Sequence, residues 1–303
     1  MTRILSAAPA RVIGLAERGR RRQALGSQQV VERSAVTADR LFTKPRRAGD
    51  DPRGEAAGLR WLAAADGGAR IAHVVDVDDD RLVLESIDEV APSAAAARAF
   101  GAALARTHAA GADWWGCPPD GWPGSLTMGR SRTPLVLDRS AAPSTWGAFY
   151  AEHRVEVFAR RLRADGVIDA DDARVFDRLC ERLRDGALDH PQPALVSAAG
   201  HPVARVHGDM WAGNVLYDAG PTGAALIDPL AHGGHAETDL ATLAVFGFPH
   251  LAEVCAGYDE ASPLASGWRE RVELHQLGIV IMHAHLFRGG YTRSALRLAG
   301  RYL

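Results

Sequence analysis

The side chains best suited to chemistry lie close together in the second half of the chain. Residues 207–214 read HGDMWAGN, and residues 227–229 read IDP. Asp209 stands five residues before Asn214, and Asp228 follows Asn214 by fourteen residues. Phosphoryl transfer from ATP requires one carboxylate at the attacking hydroxyl, together with an amide oxygen and a second carboxylate on the magnesium that bridges the phosphates. The spacing therefore predicts Asp209 as the catalytic base and Asn214 and Asp228 as magnesium ligands.

Two further polar residues flank this pattern. His207 occupies the position at which protein kinases carry the histidine of their His-x-Asp loop, and we expect it to brace the loop by hydrogen bonds rather than to transfer protons. Asp239 stands at the start of a predicted helix, where we expect it to cap the helix or to brace the loop. The structural alternative for the whole region is a strand-turn-strand with ordinary Asx turns.

A lysine and a glutamate near the N-terminus complete the expected nucleotide site. The chain contains 35 Lys and Arg residues, and Lys44 is its single lysine. Kinases place a strand lysine on the ATP phosphates and hold it with a helix glutamate, and the planar fork of arginine does not replace a compact ammonium there. Glu55 opens a helical pattern eleven residues after Lys44. We assign both residues to ATP binding; the alternative is a surface lysine and a first-turn helix glutamate.

Three residues at the end of an apolar strand form the predicted hinge of the nucleotide site. Glu85, Ser86 and Ile87 close the stretch 81–87, which reads RLVLESI. We expect their backbone groups to pair with the edge of the adenine. An edge strand without a ligand is the alternative, because main-chain contacts leave little trace in the side chains.

Composition excludes several classes of protein. The chain has 303 residues, a formal net charge of -2, 47% hydrophobic and 24% charged residues. These values are typical of a globular enzyme and argue against general nucleic-acid or membrane binding. No apolar run approaches the roughly 18 residues that a membrane span needs. The three cysteines are far apart, which indicates reduced thiols and a cytoplasmic protein rather than a disulfide framework or a zinc site.

The pattern of elements predicts an α+β fold with two lobes. For the first lobe, residues 1–87, we expect strands at 28–33 and 40–44, a helix at 54–65 with Asp51 as its N-cap, and a hairpin formed by 71–75 and 81–87. We interpret the Arg-rich segment ahead of these strands as a basic surface helix.

The second lobe, residues 88–303, is predicted to be mostly helical. We expect helices at 93–110, from an N-cap at Ser144 to Ala164, from Asp169 to Gly186, and from Glu237 to the end. The Gly-, Pro- and Trp-rich stretch 111–135 is predicted as an ordered loop. Short strands at 204–207, 214–217 and 224–227 are expected around the catalytic loop.

Four segments resemble the fructosamine kinase (ketosamine-3-kinase) family, within the aminoglycoside-phosphotransferase and choline-kinase-like group. They are the catalytic loop, in its Trp-x-Gly-Asn version, the stretch from 226 to 241, the Trp-x-x-Phe-Tyr helix at 146–154, and the segment HLFRGGY at 285–291. The resemblance covers about residues 40 to 292. The chain departs from the family between the first two strands, because residues 26–41 contain one glycine, Gly26, where the family carries a Gly-rich turn over the phosphates.

The resemblance implies a two-lobed, protein-kinase-like fold and ATP- and Mg²⁺-dependent phosphorylation of a hydroxyl group on a ketosamine, either a small molecule or a glycated protein. Trp211, His235 and Glu237 lie near the catalytic groups in sequence, and we expect them to line the acceptor site. One alternative is a kinase for another hydroxyl-bearing metabolite or an aminoglycoside. Another is a weakly active or inactive nucleotide-binding protein, which the glycine-poor turn favours. The oligomeric state is left open by the sequence.

Overall fold

The structure is a computed structural model that describes residues 40–47, 50–128 and 131–303. The predicted strand at 28–33, the Arg-rich N-terminal segment and nearly all of the glycine-poor turn lie outside the described residues.

Ten short strands form four small sheets in the described part of the chain. The strands are β1 (Leu41–Pro45), β2 (Arg70–Ile71), β3 (Val74–Val77), β4 (Arg81–Glu85), β5 (Leu126–Met128), β6 (Ser131–Thr133), β7 (Ala204–Val206), β8 (Val215–Tyr217), β9 (Ala224–Leu226) and β10 (His232–Gly234).

Helices make up most of the remainder. They are α1 (Pro52–Ala63), α2 (Ala94–Ala109), α3 (Trp146–Tyr150), which continues through a π-helical segment (Ala151–Glu156) into α4 (Val157–Ala164), α5 (Ala170–Arg184), α6 (Ala194–Ala198), α7 (Ala236–Val245), α8 (Leu251–Ala261), α9 (Trp268–Phe287) and α10 (Gly290–Gly300).

The antiparallel sheet β1-β4-β3 and helix α1 place the only lysine of the chain beside a helix glutamate. Lys44 pairs across the sheet with Leu82, whose side chain is buried. As predicted, Asp51 caps α1 by accepting a hydrogen bond from the Arg53 amide, and a proline follows the cap. Leu59 and Leu62 are buried on one face of α1, so the helix is held close to the sheet by apolar packing.

The predicted hairpin at 71–87 is wrong at its first strand. Val74 to Glu85 does form a hairpin of β3 and β4, but Arg70 and Ile71 form the separate strand β2. This strand runs parallel to β9, with Arg70 opposite Ala225. The apolar run at 71–75 does not show which strand it pairs with. Ile71 would be buried whether its strand paired with 81–87 or with β9.

Two local predictions in the second lobe are wrong, and one strand of the structure is absent from the predicted elements. The helix at 146 is capped by Thr145 rather than Ser144, since the Thr145 hydroxyl accepts from the Ala148 amide at 3.2 Å. The stretch predicted as a loop, 111–135, contains the hairpin of β5 and β6. Strand β10 was not predicted; it pairs with β7, which leads into the catalytic loop.

Helices α2 and α8 cross at a contact that only glycine permits. A Cβ added to Gly101 would collide with the carbonyl of Val254, and one added to Gly257 would collide with the carbonyl of Arg98. Backbone atoms cannot move aside as a flexible side chain can, so a methyl group at either position forces the helices apart.

Gly101→Ala should therefore lower the free energy of unfolding by about 1–3 kcal/mol. Urea titration followed by circular dichroism measures the change. Gly290→Ala is the matched control, because a Cβ there meets no atom within 4 Å. Equal stabilities for the two variants would contradict the close approach of α2 and α8.

Among the described residues, no helix combines the length and the apolar character needed to cross a membrane.

Candidate active site

Gly208 connects β7 to the catalytic loop, and any other residue at this position would be strained. Gly208 has a φ of +80°, and a Cβ there would collide with the carbonyl of Leu230. The next residue, Asp209, is held by Asn214, whose Nδ2 donates to the Asp209 carbonyl at 2.8 Å and to its Oδ2 at 3.1 Å. The structure thus brings the predicted base and the predicted amide ligand into direct contact.

Asp239 clamps the start of this loop. Its Oδ2 accepts from the His207 amide at 2.7 Å, and its Oδ1 accepts from the Gly208 amide at 2.9 Å. The His207 ring bonds the Ile227 carbonyl at 2.9 Å through Nε2. Both residues therefore brace the loop, as expected from the sequence. Burial disfavours the charged form of Asp239, but bonds to His108 and to these amides hold its pKa below the ordinary value.

Two buried side chains that the sequence does not link to the site support Asp239. His108 Nε2 lies 3.1 Å from Asp239 Oδ2, and His108 Nδ1 lies 2.8 Å from the Tyr258 hydroxyl. Both His108 and Tyr258 are fully buried. These residues lie 131 and 19 positions from Asp239 on different helices, and no local motif links them.

Lys44 joins the small lobe to the catalytic groups. Its Nζ lies 2.6 Å from Glu55 Oε2 and 3.0 Å from Asp228 Oδ1. Burial lowers the pKa of Lys44, but the two carboxylates outweigh burial and hold it above its ordinary value. The structure therefore unites the predicted ion pair with the second predicted metal ligand.

Asp228 itself adopts an unusual backbone conformation. It has a φ of +53°, in the left-handed region that non-glycine residues seldom occupy. The following Pro229 packs against α1, where a Cβ on Gly58 would lie 3.2 Å from the proline ring. Strained backbone of this kind persists where the surroundings fix it, and it is common at functional sites.

Burial dominates the electrostatics of Asp209. It raises the pKa of the carboxyl to about 8, with smaller contributions from the nearby charges of Asp228 and Asp239, while the Asn214 hydrogen bond and Lys44 oppose the shift. A carboxyl group so perturbed within a cleft is typical of a functional site.

These groups share one cleft of about 100 Å³. Its lining includes Lys44, Glu55, Asp209 and Asp228, together with Leu126 from the β5 strand. Ser125 and Thr127, on either side of Leu126, also line the cleft. The sequence does not indicate these three residues, because a Gly-, Pro- and Trp-rich stretch predicts a loop rather than a hairpin.

The predicted hinge is only partly free for a ligand. The Glu85 amide donates to the His73 carbonyl at 3.0 Å, and the Ser86 amide donates to the Arg40 carbonyl at 2.7 Å. The Ile87 amide makes no hydrogen bond to any residue in the described ranges. Within the described residues, the Ile87 amide is thus the one of the three that is left unbonded.

The three predicted acceptor residues lie in different surroundings. Trp211 is 41% exposed and packs edge-to-face on Phe246. His235 is buried, and its Nδ1 caps α7 by accepting from the Glu237 amide at 3.2 Å. Glu237 is buried in a bidentate ion pair with Arg271, at 2.7 and 3.0 Å. Trp211 is exposed, His235 lines a second and smaller cavity, and none of the three residues lines the cleft that holds Asp209.

A second group of possible ligands surrounds Glu237. Ligand atoms of His190, His235, His275 and Glu237 lie within 4.8 Å of one another. His275 and His190 bond each other through their Nε2 atoms at 2.9 Å. The remaining Nδ1 atoms pair with a hydroxyl and a carbonyl, and Arg271 neutralises the carboxylate. A hydrogen-bonded chain of neutral imidazoles accounts for these contacts.

Acid should destabilise the fold through its buried histidines. Burial lowers the pKa of His190, His232 and His275 from 6.5 to about 3. Below pH 6.5 the unfolded chain binds protons at these rings, whereas the folded chain does not until about pH 3. The free energy of unfolding should therefore fall as the pH drops from 6.5 toward 3, by up to about 1.4 kcal/mol per pH unit for each ring.

His232→Gln should reduce this slope in urea titrations at pH 7, 6 and 5. His201→Gln, at a partly exposed histidine, is the matched control. A slope that His232→Gln leaves unchanged would show that the ring is not buried in its neutral form.

Comparison with known proteins places this site in a family. The model of the fructosamine kinase family matches residues 37–303. A Vibrio vulnificus protein with the provisional name ketoamine kinase is 29% identical over 206 residues, which are 67% of this chain and 62% of that protein. The chain thus spans about six tenths of the length of this curated relative.

Solved structures show the same family resemblance and the same fold. A Thermobifida fusca protein with the provisional name fructosamine-3-kinase has a TM-score of 0.73 and 37% identity, over 86% of this chain and 85% of that one. The streptomycin–ATP–APH(2")-IIa ternary complex, at 13% identity and a TM-score of 0.55 over 88% of both chains, shares the fold alone. The fold is the two-lobed, protein-kinase-like α+β fold that the sequence predicts. The chain belongs to the fructosamine kinase family.

Proposed function

We propose that this protein is an ATP- and Mg²⁺-dependent kinase that phosphorylates a hydroxyl group of a ketosamine. The observation that carries the proposal is the convergence of Lys44, Glu55, Asp209, Asn214 and Asp228 from both lobes. Lys44 bonds Asp228 directly, and Asn214 bonds Asp209. An ATP complex of a protein with the same fold supports the choice of nucleotide.

Lys44 binds the phosphates in this proposal, and Glu55 orients it. The ion pair holds the ammonium in the lining of the cleft, where its second contact is the carboxylate of Asp228. Phosphate oxygens offer the same negative charge and replace that contact when the nucleotide enters. The Ile87 amide, with Glu85 and Ser86 before it, forms the adenine hinge.

Asn214 and Asp228 fit a magnesium ion by the chemistry of their donor atoms. The Asn214 Nδ2 is engaged with the Asp209 carbonyl, at 2.8 Å, which turns its Oδ1 away from that residue. An amide oxygen and a carboxylate are hard ligands of the kind that Mg²⁺ prefers. The ion would supply charge stabilisation for the transferred phosphoryl group.

Asp209, in its ionised form, acts as the base that receives the proton of the acceptor hydroxyl. Asn214 fixes its carboxylate, and Asp239 fixes the backbone on which it stands through the amides of His207 and Gly208. In phosphoryl transfer this positioning, together with charge stabilisation, provides most of the rate enhancement.

Trp211 is the best candidate for contact with the acceptor, because its exposed ring lies two residues after Asp209. His235 lines the small cavity that Leu230 shares with the cleft, and Glu237 would support the acceptor site through its buried ion pair with Arg271. We place the acceptor among small-molecule ketosamines or glycated proteins, and the enzyme in the cytoplasm. The division into a nucleotide-covering lobe at 1–87 and a catalytic lobe at 88–303 stays a prediction.

An acceptor panel tests the proposal. ATP turnover should be measured with magnesium and with a fructose-lysine-type ketosamine, a ribulosamine, choline or an aminoglycoside. Ketosamine-dependent turnover is expected. Turnover on choline or the aminoglycoside alone would overturn the substrate class but keep the chemistry. Nucleotide binding without transfer to any acceptor would favour an inactive nucleotide-binding protein.

A further inference from the structure

Within the part of the chain that the structure describes, a buried arginine in the large lobe has no counter-ion. Arg154, in the π-helical segment after α3, is 9% exposed. Its Nη1 donates to the carbonyls of Pro134 and His153 at 3.0 and 2.9 Å. Among residues 40–47, 50–128 and 131–303, its Nη2 is buried without a hydrogen-bond partner, and no carboxylate lies within 4.0 Å of the guanidinium. The Arg154 side chain also stacks over the Phe149 ring at 4.7 Å.

Such an arrangement is costly unless a ligand completes it. Removing an unpaired charge from water costs several kcal/mol, and two carbonyls with one aromatic face compensate only part of it. Burial lowers the pKa of Arg154 to about 10, so the group keeps its charge at neutral pH. A cation held in this way has the properties of an anion site.

A small cavity lies beside this cation. It has a volume of about 40 Å³ and a mostly apolar lining, which includes Phe149, His232 and Met282. Arg154 is the one charged side chain among its described lining residues. A cavity of this size holds a group such as a carboxylate, and the fork of a guanidinium matches carboxylate geometry.

The cavity borders the proposed active site. Gly208, directly before Asp209, lines it, and Leu230 lines both this cavity and the cleft that contains Asp209. The neighbouring His232 does not compete with Arg154 for an anion, because its ring is neutral. Burial and the charge of Arg154 lower the pKa of His232 to about 3. Its Nδ1 donates to the Leu230 carbonyl at 2.7 Å.

We propose that Arg154 determines acceptor specificity by binding a carboxylate of the acceptor. The inference rests on the proposed function and refines it. In a ketosamine made from a free amino acid, the α-carboxylate lies only a few bonds from the sugar hydroxyls. With the sugar at Asp209, the carboxylate enters the cavity and pairs with Arg154. The acceptor is then the ketosamine of a free amino acid rather than of a neutral amine.

A matched pair of acceptors tests this assignment. Fructosyl-valine and fructosyl-isobutylamine differ in the carboxylate alone. The wild type should prefer fructosyl-valine by about 10- to 100-fold in kcat/KM, mostly through KM, as expected of one charge-assisted pair. Arg154→Gln should bring the ratio of the two kcat/KM values close to one, and Arg154→Lys should restore part of it.

Arg161→Gln is the control, since Arg161 is a nearby, partly exposed arginine that stacks on Phe158 but does not line the cavity. This variant should keep the wild-type ratio. A wild type without preference, or an Arg154→Gln enzyme that loses activity equally on both acceptors, would overturn the proposal.

A binding measurement separates this proposal from the proposed kinase function. If no ketosamine is phosphorylated, the kinase function fails, but thermal shifts in acetate against chloride at equal ionic strength still test the cavity. Acetate should raise the Tm of the wild type and of Arg161→Gln, and not that of Arg154→Gln. A shift that is absent from the wild type, or equal in Arg154→Gln, would overturn the anion site.

Discussion

Replacement of Asp209 by asparagine should lower kcat by roughly 10²- to 10⁴-fold, the usual contribution of a positioned general base. The amide keeps the shape of the carboxylate but cannot accept a proton from the acceptor hydroxyl. Nucleotide affinity should change little, because Lys44 and the hinge are untouched by the substitution. Steady-state kinetics and calorimetric titration with ATP measure the two quantities separately.

Asp177→Asn is the matched control for that change, since Asp177 is an exposed residue of α5. It should keep both kcat and ATP affinity. Full turnover by the Asp209→Asn enzyme would show that another group receives the proton.

A change at Asp228 should act on binding rather than on proton transfer. Asp228→Asn removes the charged metal ligand and one of the two carboxylates that hold Lys44, which it contacts at 3.0 Å. We expect the affinity for ATP in the presence of magnesium to fall by about 10- to 100-fold, the value of a charge-assisted contact. The affinity for ATP in the presence of EDTA should fall much less.

Calorimetric titration with and without magnesium distinguishes these effects. Asp76→Asn, at an exposed residue of the β3 strand, provides the control. An Asp228→Asn protein that still binds ATP more tightly with magnesium than without it, to the same degree as the wild type, would contradict the metal assignment.

The sequence predicts the core of the candidate site because its chemistry is local. Asp209 and Asn214 lie on one loop, and a loop of fixed length limits how far apart they can be. Lys44 could be assigned for a different reason, since a chain with 34 arginines and one lysine leaves a single candidate for a compact ammonium. Asp51 and its proline likewise mark the start of α1 from adjacent residues.

The partners that the sequence did not reveal are distant in the chain. Asp239 contacts His108 across 131 positions, and Glu237 contacts Arg271 across 34. Glu237 was assigned to the acceptor from its nearness in sequence, whereas the structure pairs it with an arginine from α9. Polarity alone cannot show whether a carboxylate faces a ligand or a buried guanidinium.

Strand pairing is also hard to predict when the paired strands are far apart in the sequence. β2 was expected to pair with its neighbour in sequence and instead pairs with β9, about 150 residues later. The sequence likewise does not show that Arg154 lacks a counter-ion among the described residues, because this depends on which carboxylates the fold brings near it. Local signals place helices and loops, and tertiary packing decides the rest.

The most direct test of the account is transfer of the γ-phosphoryl group of ATP to a ketosamine, observed as a new phosphomonoester signal by ³¹P NMR. With magnesium, the wild type should form the sugar phosphate in step with ADP, and Asp209→Asn should form almost none. Release of ADP and inorganic phosphate without a sugar phosphate, or equal product from both proteins, would contradict the assignment of this cleft to ketosamine phosphorylation.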